Sequence, residues 1–166
     1  MTTTLRKIQI DKPGGYDALQ LVDAPVPSVQ DDEVMIEVKA CGVNYADGII
    51  RMGLYASAKQ LHGYPITPGF ELSGDIIAVG ADVVDFKIDD AVIALTLFGG
   101  YCSHIVLKAD RVFPKPQNLD YPQAAALPTV FLTAWFMVRE QVMPKPGDVW
   151  LAHSAAGGVR SALCQL

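Results

Sequence analysis

Hydrophobic and polar positions alternate most cleanly over residues 33–40. Val34, Ile36, Val38 and Ala40 fall on one side, and Glu33, Glu37 and Lys39 on the other. That period of two predicts an antiparallel strand with one face buried and one in water. Apolar runs at 5–10 and 19–22 predict an edge strand and a second strand about a turn at Lys12, Pro13, Gly14 and Gly15. Residues 23–32 contain Pro25 and Pro27, which force an extended link. At 44–52 the period changes: Ala46, Ile49 and Ile50 share a helical face, and Gly53 offers a left-handed cap. Residues 55–68 read as a loop with two prolines. Strands rich in Ile and Val follow at 72–79 and 91–97, with shorter ones at 101–107 and 111–113.

Repeated short strands with glycine and proline turns, and little helix before residue 120, predict a mainly β chain forming a small barrel with irregular crossovers. From Tyr121 the pattern is helical. Residues 121–127 make a turn or two, Pro128 interrupts, and 130–140 form a helix. That helix carries Val130, Leu132, Ala134, Trp135, Phe136, Met137 and Val138, apolar nearly all round, which predicts burial between larger bodies.

Residues 147–166 then read as strand, tight turn, helix: an apolar run at 149–153, small residues at 154–158, and an apolar helical pattern at 159–166. Such a unit opens a dinucleotide-binding fold, because a pyrophosphate approaches the backbone N–H groups of a helix N-terminus only where side chains are small. The domains expected are 1–125, the barrel, and 126–166, a connecting helix with an incomplete α/β unit. A whole βαβ unit takes about 30 residues or more, so the chain reads as the front half of a larger enzyme.

Composition narrows the classes. The chain has 166 residues, 51% of them apolar, with 13 basic against 18 acidic residues and a net charge of −5. A cored domain is expected, and a nucleic-acid surface rich in Lys and Arg is not. The start lacks the apolar core of a signal peptide and no run has the length of a membrane span, which predicts a cytosolic protein. Cys41, Cys102 and Cys164 are odd in number and widely spaced, as reduced thiols are.

Six motifs fall in sequence: Cys41-Gly-Val-Asn-Tyr-Ala-Asp47, Gly53-Leu-Tyr55, Pro68-Gly-Phe-Glu-Leu-Ser-Gly74, Gly99-Gly-Tyr101, Ala124-Ala-Ala-Leu-Pro128 and Ala155-Ala-Gly-Gly-Val159. Together they resemble the medium-chain dehydrogenase/reductase superfamily, in its zinc-independent quinone oxidoreductase branch with the vesicle amine transport protein 1-like members. The resemblance implies a GroES-like barrel, then a Rossmann domain that binds NADPH, with the active site between them.

Zinc-dependent relatives use a Cys followed by a His in a Gly-His-Glu motif. Here Cys41 stands at the first position but Phe70 at the place of the His, and three donors for a catalytic Zn²⁺ cannot be assembled. No metal is expected, and Cys41 reads as a small buried hydrophobe. Asn44 suits a helix N-cap, and the resemblance places it near the nicotinamide. Tyr55 either packs its loop or, by resemblance, lines the substrate pocket. Thr133 matches a cofactor-facing hydroxyl, or bonds back to its own turn. Gly157, Gly158 and Val159 match the pyrophosphate turn. Asp47 and Glu71 read as polar ends of a helix and a strand. The three His residues have no partner at triad or metal spacing. Arg160 departs from the family's third glycine, which permits close helix packing, so it is expected to obstruct that packing.

The resemblance therefore implies an NADPH-dependent oxidoreductase passing hydride to a quinone or an α,β-unsaturated carbonyl, with Asn44 and Tyr55 at the reacting end and a dimer as its assembly. The chain alone is expected to be inactive or nearly so. The alternatives are a non-catalytic binding or self-association module built on the barrel, or a fragment of a longer enzyme.

Overall fold

The computed structural model describes residues 4–154 and 156–166. Its first unit, Met1–Ala126, begins with a hairpin of β1 (Thr4–Gln9) and β2 (Gln20–Pro25), paired from Thr4 with Pro25 to Gln9 with Gln20. The second strand thus takes up part of the link expected at 23–32. The alternating run becomes β3 (Glu33–Cys41), followed by β4 (Glu71–Val79), β5 (Ala91–Leu95), β6 (His104–Lys108) and β7 (Val112–Pro114). These five form one antiparallel sheet in the order β6-β3-β4-β5-β7. The hairpin joins it through the Ile8 N–H, which donates to the Tyr101 carbonyl at 2.9 Å, and through reciprocal backbone bonds between Ile10 and Ile66. The expected mainly β architecture is what the chain has.

The alternation in β3 works as its sequence requires. Val34 and Ile36 are fully buried with Leu72, Ile76, Val92, Ala94, Leu107 and Val112 as the main core. A second cluster of Ile10, Ile50, Ala58 and Ile66 is walled by Tyr55, Tyr64, Phe70 and Phe98. Its helices are α1 (Tyr45–Arg51), with Gly53 at φ 73° just past its end as expected, and α2 (Ala56–Leu61). The second replaces part of the loop expected at 55–68. Two turns are too few to show a helical period, and it is Ala58, packed in the second cluster, that holds them. α3 (Tyr121–Ala125) starts in a capping box, Asp120 accepting from the Gln123 N–H at 2.8 Å and Gln123 from the Asp120 N–H at 3.1 Å. The Ser73 hydroxyl donates to the Tyr121 carbonyl at 2.7 Å and the Tyr121 hydroxyl to Asp75, fixing α3 to β4.

The second unit, Leu127–Leu166, opens with α4 (Pro128–Phe136). Pro128 starts this helix instead of interrupting one, because a first-turn N–H has no helical acceptor and its loss costs nothing. The helix continues into a π-helical turn, Met137–Val142, and stops where Met143 adopts φ 48°. Pro128, Ala134 and Val138 are buried here, whereas Leu132, Trp135, Phe136 and Met137 are about half exposed, so the expected all-round burial is not met. The run at 149–153 is not a strand. Among the described residues no strand pairs with it, and an extended segment becomes a strand only through a partner's hydrogen bonds. α5 (Gly158–Leu163) closes the unit and packs on α4. Among the described residues no helix is long and apolar enough to cross a membrane.

Candidate active site

In the first unit the chain leaves β3 at Cys41 and enters α1 through Gly42, Val43 and Asn44, so Asn44 is set at the end of a strand and the start of a helix. Its backbone is extended (φ −114°, ψ 153°), as an N-cap residue requires. The Asn44 N–H donates to Asp47 Oδ2 at 2.8 Å, the carboxyl reaching back over the first turn. The Asn44 side chain faces the Asp47 N–H in return, closing the capping box. Its Nδ2 donates to Glu71 Oε1 at 2.8 Å, so the amide is directed at the first residue of β4.

Asp47 and Glu71, read from sequence as polar ends, are 6% and 2% exposed. Besides Asn44, Asp47 receives the Gly69 N–H on Oδ1 at 3.0 Å and the Tyr101 hydroxyl on Oδ2 at 2.8 Å. Burial and the bond to Asp47 hold the Tyr101 hydroxyl far above the ordinary phenol range, so it stays a donor. Glu71 fits because position 42 is glycine: a Cβ there would lie 2.2 Å from Glu71 Oε1. Asp47 and Glu71 are the site residues that sequence reading underweighted. Apart from the contact of Asp47 with Asn44 three residues before it, their partners lie 22 to 54 positions away, where no local spacing points to them.

Asn44, Asp47 and Tyr101 line a groove of about 450 Å³ with Tyr16, Tyr45 and Pro68. Val43 and Tyr45 stand exposed at its rim. Cys41 is exposed, contrary to the buried position expected, since it ends β3 where the chain turns away from the sheet. Desolvation of its thiol and the nearby Asp47 charge push it above its usual range. Phe70 packs between Tyr55 and Phe98 with both ring centroids at 6.1 Å. Among the described residues no three His, Cys, Asp or Glu side chains converge on a metal position. Tyr55 caps α2 and is half buried, its ring edge-on to Phe70. Of the His residues, His104 lies in β6 and His62 follows α2.

In the second unit, Gly157 is the N-cap of α5 and its N–H donates to the Ser154 carbonyl at 3.0 Å. Gly158 and Val159 begin the helix, where N–H groups have no acceptor within it. A Cβ at Gly158 would come within 2.9 Å of Val130 Cγ1, so the small residue is needed for α5 to meet α4. Arg160 does not obstruct this packing. Its Nε donates to the Ala152 carbonyl at 3.2 Å, which turns the side chain along the preceding segment. The Thr133 hydroxyl donates to the Thr129 carbonyl at 2.7 Å, the local bond that sequence allowed as its other role.

With this geometry established, the chain can be compared with known proteins. The profile of the alcohol dehydrogenase GroES-like domain matches residues 30–117. The synaptic vesicle membrane protein VAT-1 homolog of Danio rerio is 39% identical over 166 residues, covering 99% of this chain and 34% of that protein. The quinone oxidoreductase of Sus scrofa is 37% identical over 161 residues, covering 96% of this chain and 48% of that protein. Among solved structures, the quinone oxidoreductase of Escherichia coli complexed with NADPH superimposes with a TM-score of 0.87 at 33% identity, over 96% of this chain and 48% of that one. The chain spans about a third to a half of the length of these relatives.

Proposed function

Since the chain belongs to the alcohol dehydrogenase GroES-like family, in the quinone oxidoreductase and vesicle amine transport protein 1-like branch of the medium-chain dehydrogenase/reductase superfamily, we propose that it forms the substrate half of an NADPH-dependent, zinc-independent oxidoreductase acting on a quinone or α,β-unsaturated carbonyl. The observation that carries this reading is Asn44, held through its backbone N–H by Asp47 and through its side-chain amide by Glu71 at the wall of an aromatic-rimmed groove. Binding sites combine such apolar walls with a few oriented polar groups.

The residues present fit the cofactor in two places. Asn44 meets the nicotinamide end, and the first turn of α5 offers backbone donors at Gly158 and Val159 to a pyrophosphate, with Gly157 as the small turn residue. Thr133 fits less well, because its proton is given to Thr129. NADPH supplies the hydride when bound. The chain's part is to bind, orient and exclude water. Asn44 places the ring, Tyr55 shapes the substrate side together with Phe70, and Phe70, where zinc relatives carry a ligand, leaves polarisation of the substrate to hydrogen-bond donors.

On this reading residues 1–125 form the substrate domain and 126–166 the start of the dinucleotide domain. A homodimer and a cytosolic location with three free thiols belong to the same proposal. Titration of the chain with NADPH, followed by nicotinamide fluorescence and calorimetry, tests it. Saturable binding weakened about tenfold or more by Asn44→Ala is the expected result. Absence of saturable binding, or binding indifferent to Asn44→Ala, overturns the reading.

A further inference from the structure

We propose that a second cavity of the β-rich unit, between β1, β6 and the segment after α2, is a binding site for a small aromatic carboxylate, whose anion is held by Lys7 and whose ring packs against Phe98 and His62. The cavity shares no lining residue with the groove beside Asn44, and its ligand goes beyond the oxidoreductase reading.

The cavity exists because two strands stop pairing. The Ser103 N–H donates to the Arg6 carbonyl at 2.7 Å, but the Arg6 N–H is taken at 2.9 Å by the Ser103 hydroxyl, and among the described residues no ladder joins β1 to β6. The gap has a volume of about 590 Å³, within the range of small-molecule sites. Leu5, Ile105 and Leu107 line it together with Leu61 of α2. His62 and Phe98 add two rings set edge-on, with centroids 5.7 Å apart and planes at 76°, a corner against which a flat ring packs.

Charge decides the sign of the ligand. The chain carries 18 acidic against 13 basic residues, yet no residue that lines the cavity is acidic. Strand alternation puts Leu5, Lys7 and Gln9 on one face of β1, and all three line the cavity. Lys7 is half-buried, and among the described residues its ammonium has no ion pair. Two carboxylates close to these walls are engaged elsewhere: Asp11 accepts from the Gln9 amide at 2.7 Å, and Glu37, opposite His104 in the register, holds Lys39 at 2.7 Å. A partly desolvated ammonium beside apolar walls is best satisfied by an anion that brings its own apolar body. A single such cation matches a monoanion.

The test adds 2-naphthoate, and separately its neutral counterpart 2-naphthamide, to the full ¹⁵N-labelled chain and follows the backbone amide signals. 2-Naphthoate is expected to move the Gly99 and Val106 signals saturably and to bind at least about fivefold more tightly than the amide. Lys7→Met keeps an apolar stem and removes the charge, so the preference should fall to within about twofold, whereas Lys7→Arg should retain it. The remaining amide signals report that each variant is folded. A merely structural Lys7 would leave the ratio of the two affinities unchanged. Equal affinity for the two compounds, absence of saturable shifts, shifts at Gly48 and Arg51 in place of Gly99 and Val106, or a preference that survives Lys7→Met overturns the proposal.

Discussion

Asp47, itself 6% exposed, gathers three donors: the Asn44 and Gly69 N–H groups and the Tyr101 hydroxyl. Each buried group stripped of its partner costs about 1–3 kcal/mol, so Asp47→Ala is expected to lose about 3 kcal/mol or more, and Tyr101→Phe about 1 kcal/mol. Urea unfolding followed by far-UV circular dichroism measures this. Tryptophan fluorescence does not, because Trp135 and Trp150 both lie in the second unit. A loss for Asp47→Ala no larger than that for Tyr101→Phe would mean the network is solvated. At this scale the sequence was only half legible. Asn44 was visible because a cap residue and a helix start are adjacent in the chain. Asp47 and Glu71 were not, since what buries them arrives from β4 and from the segment before β6. The same holds for Cys102, whose thiol is pushed up to about 12, chiefly by desolvation. Its folded value lies above the unfolded 9.0, so its contribution to stability is complete below pH 9 and is lost as pH rises towards 12. Stability is expected to fall in that window and to fall less in Cys102→Ala. The remaining loss belongs in part to Tyr121, also raised to about 12, first by its bond to Asp75. Identical alkaline profiles for the parent and Cys102→Ala would remove the assignment.

Elements were legible where their period was long enough to repeat. β3 has nine residues with buried positions alternating as written, and α1 has both of its ends marked. α2 has six residues and is held by one buried alanine, so composition alone could not separate it from loop. The extended run at 149–153 shows the converse: its apolar residues satisfy a strand pattern, yet a strand is a property of pairs. The packing of α5 on α4 gives the sharpest test at this scale. A methyl group at position 158 would meet a branched Val130 methyl at 2.9 Å, a contact that a stiff β-branched side chain does not relieve by rotation. Gly158→Ala is expected to cost about 1–3 kcal/mol through overpacking, offset by whatever the alanine gains in helix propensity. The Gly158→Ala, Val130→Ala double variant is expected to be more stable than the two single losses predict, by about 0.5 kcal/mol or more. Tryptophan fluorescence during thermal unfolding reads this unit directly. Strict additivity would show that the two positions do not touch.

At the scale of the whole chain, the change from strand-rich to helical sequence near residue 120 is visible in the pattern itself, because short period-two runs give way to longer apolar helical ones. What the pattern could not give is which apolar residues stay uncovered. Val149 is 97% and Leu151 83% exposed, and Leu132, Trp135, Phe136 and Met137 add further apolar surface on α4 and its π-helical continuation. Single exposed apolar residues are ordinary, but this many in a unit of 40 residues make a surface that water disfavours and that a partner tends to cover. Self-association through the second unit is the expected outcome, with mean molecular mass rising with concentration in sedimentation or light scattering. Leu151→Glu places a charge where contact would bury it, a cost that pairing alone does not offset, and should shift the equilibrium to monomer by about tenfold or more in Kd. Because Leu151 lies in an unpaired segment, that substitution should leave the far-UV spectrum and the unfolding of the β-rich unit unchanged. A parent chain that stays monomeric across the whole concentration range would show instead that the exposed face is tolerated in water, and would also remove the support for a homodimer.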